Sequence, residues 1–516
     1  MLARNSAILG ILAAFSAACA DAGEASVDDE STGVSIALRN EHQPRRFHSS
    51  RRHSHSHCPE AGGAGGTGST GGSGGSPQCP NGNAWSRSYG TAAQFQRSQG
   101  IAVDTGGNTL FAGHYGANIQ FGDVMLGVPS PNGGNGFTAF LVKLDPCGLV
   151  LWATGPTEGD SVAYSVASGA DNRGVVGGEF MGTLAFGDTR LASLGSSTTD
   201  AFVTRFDTNG EVLWSRQFGT AAAYDIAKSV AIGVDHSVVA GVMSDEVVGI
   251  AGGNFSSFVL KYDSNGSLSW SRRLTTPSAG TISDLANVHQ VRIDSANNVW
   301  VQGRFSGPSL LLDGEPVFEP VGSTDVTPFL LKFDATGALL SSRRLPANAE
   351  VSALAIDRND QILIAGRQYT EVADPQGTIQ LLVSTFLSKL AVDGTTVWSH
   401  SFGDSTFVEP TGLAAEPSGN FVLTADLFRE SIDFGGGPLT NDGDGTDLVI
   451  ARFDAQGRHL SSAHFGGEGT QHSSGVALDR DGVARVTGEF SPQIDFGQGP
   501  LTAASASDVF VARFAP

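Results

Sequence analysis

The chain has 516 residues, of which 68 are glycine and only 16% are charged, and it carries a formal charge of −21 with a pI near 4.8. That acidity argues against a nucleic-acid binder, which needs a basic face. Abundant glycine with few charges does not suit a helical bundle; it suits many short strands joined by tight turns.

The N-terminus reads as an export signal. Arg4 precedes an apolar run from Ala7 to Ala18, which has the length of a signal-peptide core and is too short to span a bilayer as a helix. Ser16-Ala17-Ala18-Cys19 resembles a bacterial lipobox, with Ser16 where that pattern prefers Leu. In that reading Cys19 is lipidated and becomes the mature N-terminus. Ala18-Cys19-Ala20 also fits ordinary secretory cleavage before Asp21. The lipobox is the preferred reading, because a tether-like segment follows. Residues 1–19 are therefore assigned to the signal peptide and Cys19 to lipidation.

Residues 20–80 are expected to form a disordered tether. An acidic start is followed by a basic patch with Arg45, Arg46, Arg51 and Arg52, and then by a Gly/Ser/Thr run from Gly62 to Ser76. Such a run sets reach, not shape. His53, His55 and His57 beside Cys58 could ligate a soft metal, but no second ligand cluster accompanies them, so they read as a solvated patch. Cys58 and Cys79 flank the glycine run and are the pair expected to bond if either does. Cys147 reads as a spare residue in a turn. Cys79 and Cys147 are not expected to be joined, since turns at the rim of neighbouring repeats should splay apart.

From residue 81 onward three motifs cycle. The first is a strand ending in a turn, seen in Phe202-Val-Thr-Arg-Phe-Asp-Thr-Asn-Gly210. Its apolar and polar residues alternate with the period of a strand, and Asp-x-Asn-Gly supplies the turn. Seven copies begin at Phe140, Phe202, Phe258, Phe329, Phe386, Val449 and Phe510, spaced 56 to 71 residues apart. The second motif returns from the turn as Trp-Ser-Arg-like strands at Trp85, Trp152, Trp214, Trp270 and Trp398, with Ser341 and Ser461 in place of Trp. The third is a strand, a polar turn and a strand ending in Gly, as in Ile101 to Gly113, with cognates from Val166, Val230, Val291, Leu354, Leu413 and Val476. Most units add an Asp-Phe-Gly-like loop, for instance at Asp433-Phe434-Gly435.

Each unit thus supplies four strands, a and b from the third motif, c from the first and d from the second. One four-stranded sheet cannot bury both faces, but seven stacked radially can. The chain opens on a lone d strand at Trp85 and ends on a lone c strand at Phe510, two halves that would pair. The expected fold is all-β: a seven-bladed β-propeller of four-stranded antiparallel blades over 81–516, closed by its terminal strands. The Val-Ala-x-Asp-x-x-Gly-Asn-like and Phe-Val-x-Lys-Phe-Asp-x-x-Gly-x-x-x-Trp-Ser hairpins resemble the bacterial SBBP (seven-bladed β-propeller) repeat proteins over about residues 84–516. Blades three and five depart from the pattern, lacking the Asp-Phe-Gly loop, and Ala391 replaces the turn Asp in blade five. The resemblance implies a secreted or surface-attached propeller and brings no general catalytic signature.

Chemical motifs are absent from the sequence. There is no sialidase-type Asp box, Gly-x-Ser-x-Gly elbow, His-Glu-x-x-His or P-loop. The aspartates that recur at Asp104, Asp294, Asp357 and Asp479, and at Asp145, Asp207, Asp263, Asp334 and Asp454, stand where hairpins turn. Asn441 to Asp447 is acidic and Gly-rich enough to hold Ca²⁺ loosely, but lacks a terminal bidentate Glu. His236, His289, His400, His459, His464 and His472 show no ligand spacing. No catalytic, cofactor or metal residue is therefore assigned, and no cofactor is expected. The expected function is a non-enzymatic binding or scaffold propeller for a protein or glycan ligand. It would be a monomer, touch membrane only through its lipid, and lie in the outer membrane or cell surface, or otherwise be periplasmic or secreted. The alternative is an extracellular hydrolase or lyase whose residues converge in the central channel.

Overall fold

The structure is a computed structural model. It describes residue 79 and residues 84–514, apart from 92–94, 128–135, 222, 247–253, 278–284, 320–325, 374–378, 404–406, 429–430 and 442. The calls on the signal peptide, Cys19, Cys58, the His53–His57 patch and the tether lie outside the described residues. Every regular element among the described residues is a strand, and none is a helix.

The strands pair as four-stranded antiparallel sheets in chain order. Sheet 1 holds strands a to d as Gln96–Val103, Thr109–Tyr115, Thr138–Leu144 and Val150–Thr154. Sheet 2 follows with Glu158–Ser168, Gly174–Phe186, Asp200–Phe206 and Val212–Phe218. Sheet 3 has Ala223–Ile232, Val238–Glu246, Asn254–Tyr262 and Leu268–Thr275, and sheet 4 has Ala286–Ile293, Val299–Phe305, Thr327–Phe333 and Leu339–Arg344. Sheet 5 has Ala349–Ile356, Ile362–Ala373, Ile379–Leu390 and Thr396–Phe402, and sheet 6 has Val408–Ala415, Phe421–Phe428, Thr446–Phe453 and His459–Phe465. Sheet 7 takes Gly469–Leu478, Ala484–Asp495 and Asp508–Phe514, and its fourth strand is Trp85–Tyr89 from the far end of the chain. In that pairing Trp85 opposes Arg513 and Tyr89 opposes Val509. One parallel bridge, Thr446 to Thr470, also links sheets 6 and 7.

The turns follow from their residues. Asp207 Oδ1 accepts from the backbone of Asn209 (2.8 Å) and Glu211 (2.9 Å), closing the hairpin the sequence spells. Asp145, Asp263, Asp334 and Asp454 do the same, as do Asp104, Asp294, Asp357 and Asp479 in the a–b turns.

The cores lie between consecutive sheets. Leu110 and Leu141 of sheet 1 pack with Val176 and Phe202 of sheet 2. Equivalent clusters follow sheet by sheet, and Val509 and Val511 of sheet 7 pack with Phe111 and Phe140 of sheet 1. A fully buried Phe such as Phe202 contributes roughly 1.5–3 kcal/mol of transfer free energy. The a strands touch one another in the same order, and that of sheet 7 touches that of sheet 1.

A second recurring contact joins neighbouring sheets at the outside. The Trp214 indole N–H donates to Ser264 O (3.2 Å) in the c–d turn of the next sheet. Its ring lies over Gly266, where an added Cβ would come within 2.7 Å of it, and Gly266 has φ of +80°. Trp85, Trp152, Trp270 and Trp398 make the same reach. Arg216 Nε then donates to Gly266 O (2.6 Å), and Arg272 does likewise to Gly337.

This latch corrects the cysteine reading. Cys79 and Cys147 form a disulfide with Cα atoms 5.3 Å apart. Neighbouring rim turns were expected to splay apart. They do not, because Trp85 is bonded to Pro146 O (3.0 Å) and packed on Gly148. That brings the chain leading into Trp85 directly against the Cys147 turn. Cys147 is therefore neither free nor a spare turn residue, and the expected partner Cys58 is displaced.

Candidate functional site

The a strands bear the feature from which a site can be built. In every a–b pair among the described residues the register slips at one shared place, leaving one a-strand residue without a partner, and sheet 2 slips a second time at Gly159. Such a β-bulge re-aims the extra side chain and is frequent beside functional sites. The bulged residues are Gln99, Tyr164, Lys228 and His289 in sheets 1 to 4, and Ser352, Thr411 and Ser474 in sheets 5 to 7. All seven are polar and half-buried. Several of their contacts run to neighbouring sheets: Ser352 Oγ donates to Glu409 (3.2 Å), Ser474 Oγ to Ser98 O (2.6 Å), and Lys228 Nζ lies 3.9 Å over the Tyr164 ring, while Tyr164 itself donates to Glu179 of its own sheet (2.6 Å).

Ionic side chains gather at the same end, where a strands begin and b strands finish. Arg367 reaches Glu350 (2.8 Å) on its own sheet and Glu409 (2.9 Å) on the next. Arg304 of sheet 4 also approaches Glu350 (3.7 Å), and Tyr369 donates to it (3.1 Å). His472 Nδ1 meets Asp426 Oδ2 (2.9 Å) across sheets 7 and 6, and Ser473 N donates to Asp426 Oδ1 (2.9 Å). Arg97 and Glu489 make a two-point ion pair (2.8 and 3.0 Å) across sheets 1 and 7.

The electrostatics of these groups differ. Burial pushes the Glu409 carboxyl up to about 7, against the pull of Arg367, with Glu350 adding to the rise. Burial also raises Glu350, but Arg367, Arg304 and the Tyr369 bond outweigh it and hold its carboxyl below the usual range. The two carboxylates sharing Arg367 thus titrate apart. Burial lowers His472, but the Asp426 bond and charge outweigh it and leave the imidazole raised. Burial takes His289 and His114 down to about 4, so both are neutral rings at neutral pH.

Chemically, the arrangement offers hydroxyls, paired charges and one carboxyl able to gain or lose a proton near neutrality. Ser473 Oγ donates to Asp426 (3.3 Å), and no bond from Ser473 to the His472 imidazole is formed, so these three do not assemble as a serine relay. No group of three or more potential metal ligands occurs among the described residues. In the acidic loop, Asn441 is tied to Leu427 O and Gly445 O, and Asp447 to His464. Asp442 lies outside the described residues. His400, His459 and His464 stand on d strands with partners of their own, Gln456 O, Ser462 and Asp447, while His236 occupies a turn beside Asp171.

The sequence reading missed this ensemble. One signal was present: the bulged residue always stands two positions before the apolar start of the third motif, as Gln99 before Ile101 and Ser474 before Val476. The ion pairs had no such signal.

No protein-family model matches the chain. An uncharacterized WD repeat-containing protein of Acanthamoeba polyphaga mimivirus is 23% identical over 337 residues, covering 52% of this chain and 24% of that protein. The chain thus spans about a quarter of that relative's length. Among solved structures, a protein of unknown function from Bacteroides caccae is similar over 63% of this chain and 89% of its own, with 11% identity and a TM-score of 0.34. The Hadza microbial sialidase Hz136 matches over 76% of this chain and 75% of its own, with 10% identity and a TM-score of 0.37. A gluconolactonase of Xanthomonas campestris matches over 66% and 89%, with 10% identity and a TM-score of 0.28. Likeness at this level carries neither substrate nor chemistry to this chain.

Proposed function

We propose that residues 84–514 close as a seven-bladed β-propeller of the SBBP type that binds a ligand, without turnover, where its seven inner strands begin. The observation that carries this is the column of seven polar bulge residues, set among ion pairs that cross from sheet to sheet. Closure is supported by the pairing of Trp85–Tyr89 with Asp508–Phe514 and by the core shared between sheets 7 and 1. A packed core alone would place apolar residues at the bulges, because buried polar groups cost free energy unless they are bonded.

The protein is exported in this reading and held at a membrane by lipid on Cys19, with the ligand site facing outward. Cys19→Ala then moves it from the membrane to the soluble fraction or leaves it unprocessed. Wild type that is soluble with Asp21 at its N-terminus excludes the anchor. For the site, wild type and an Arg367→Ala variant are each used to capture extracellular material. Bound material should be lost with Arg367→Ala and retained with Asp207→Ala in a c–d turn. Equal capture by all three proteins places binding elsewhere.

A second reading, an extracellular hydrolase or lyase, is favoured by one feature. Glu409 is poised near neutrality between Arg367 and Ser352, as a general acid or base must be. Turnover of any polysaccharide or lactone that disappears in Glu409→Gln, with the fold intact, would replace the binding reading.

A further inference from the structure

We infer that the ligand is an uncharged saccharide and that it lies across sheets 6, 7 and 1, beginning beside the Arg367–Glu409 pair that joins sheets 5 and 6. This rests on the binding reading above and specifies its ligand and place.

Exposed aromatic rings occupy this end beside the ion pairs. Phe95, Phe137 and Phe428 are 37%, 38% and 36% exposed, although Phe140, Phe202, Phe329 and Phe510 of the c strands are buried. Phe95 and Phe137 lie 6.2 Å apart, and the neutral His114 ring stands beside both, 4.9 Å from Phe137 and 6.5 Å from Phe95. The Arg97 guanidinium covers one side of Phe95 at 5.2 Å. Phe428, at the end of sheet 6, stands 6.3 Å from the His472 ring. A continuous strip therefore runs from Phe428 through His472 and the Arg97–Glu489 pair to Phe95 and Phe137.

Aromatic faces set beside hydrogen-bonding groups match the two sides of a sugar ring. The apolar, slightly positive C–H face of a pyranose packs on the negative face of an aromatic ring. Its equatorial hydroxyls then need donors and acceptors at the edge. Arg97 and His472 present about a third of their side chains to solvent, and their partners Glu489 and Asp426 lie beneath them. Arg97 is already paired with Glu489 and His472 is bonded to Asp426, so a charged ligand would have to break a contact, whereas a hydroxyl can join one. An anionic ligand also meets the repulsion of a chain with a net charge of −21.

The test is an array of neutral and anionic oligosaccharides probed with the full-length protein. Neutral glycans should bind, with little change between 50 mM and 500 mM salt. Phe95→Ala and Phe428→Ala should each weaken binding about tenfold, while thermal melting confirms that both exposed-site variants fold. Binding restricted to anionic glycans, or unaffected by either variant, overturns the inference. So does an array on which no neutral glycan binds. If another ligand is then captured and released by Arg367→Ala, the saccharide assignment falls while the binding reading stands. If captured material is indifferent to Arg367→Ala as well, both fall.

Discussion

Lys143 shows how a single side chain ties a sheet together. It stands in the first motif, in strand c, and its ammonium meets Asp104 in the a–b turn of the same sheet at 2.8 Å, with both side chains buried. Lys332 with Asp294, Lys389 with Asp357 and Arg452 with Glu416 repeat the arrangement. The aspartate therefore does two tasks, turning its hairpin and neutralising a buried cation. Lys143→Met should destabilise by about 3–5 kcal/mol, because the buried Asp104 carboxylate keeps its turn hydrogen bonds but loses its counter-charge. Lys143→Met with Asp104→Asn should recover much of that loss. Urea unfolding of the three proteins checks it, and equal losses in the single and double variants would show that packing, not charge, is at stake. Glu409 makes the opposite kind of statement. Its carboxyl is raised to about 7 in the fold against 4.5 unfolded. The folded state thus holds the extra proton between those values, and stability falls as pH rises through them. Glu409→Gln removes that dependence. Relative to wild type it should be more stable at pH 8 than at pH 4, and melting at both values reads the difference. His472, also raised, contributes stability that is present below the unfolded value and lost as pH rises through the folded one.

At the scale of an element, strand d is more than the fourth member of a sheet. Its Trp crosses to the next sheet, donates to a turn carbonyl and covers a glycine whose φ no other residue adopts cheaply. Trp214→Ala removes a large buried ring and one hydrogen bond, so a loss of about 3–5 kcal/mol is expected. Gly266→Ala should also destabilise, since its Cβ collides with Trp214 and its φ is +80°. The two changes share one contact and should not add: the double variant should cost less than the sum, because alanine at 266 has no ring to meet once Trp214 is gone. Additive losses would separate the Trp from the turn. Where Ser341 and Ser461 replace Trp there is no indole to make that reach, whereas between sheets 3 and 4 the Leu311–Pro316 hairpin pairs with strand d of sheet 3 in addition to the Trp270 latch.

At the scale of the molecule, the strand Trp85–Tyr89 and the Cys79–Cys147 bridge act together. Trp85 and Tyr89 belong to the core shared by sheets 7 and 1, and without them strand c of sheet 7 would have an uncovered edge. Deleting residues 84–90 should therefore lower the melting temperature sharply, and an unchanged value would remove the closure argument. The disulfide spans 68 residues of sequence and pins the chain just before that strand. Loop-closure entropy for that span sets a contribution of about 4 kcal/mol at most. Cys147→Ser, or reduction of the wild type, should cost up to that amount, read by denaturation with and without reductant. Hydrogen exchange should rise first in Trp85–Tyr89 and its partner Asp508–Phe514. Uniform exchange across all sheets would show that the bridge does not serve the joining strand.

The sequence by itself determined what is local. Period-2 alternation with Asp-x-Asn-Gly turns specified the strands, their hairpins and the lone d strand at Trp85, because a turn and its flanking strands are decided by residues a few positions apart. The recurrence of those hairpins likewise exposed the repeated sheet. What only the tertiary structure decided lies between sheets. Trp214 and its turn carbonyl are 50 residues apart, Trp270 and its own 65, so no window of sequence contains the latch. The Cys79–Cys147 bond depends on that latch, which is why a plausible argument about splayed rims failed. The candidate site was half legible. Its bulge residues occupy a fixed place two positions before each third motif, a column that can be read once the repeats are aligned. The Arg97–Glu489 pair, 392 residues apart, and the His472–Asp426 pair come from different sheets and meet only because the last a strand packs against the first, and the seventh against the sixth.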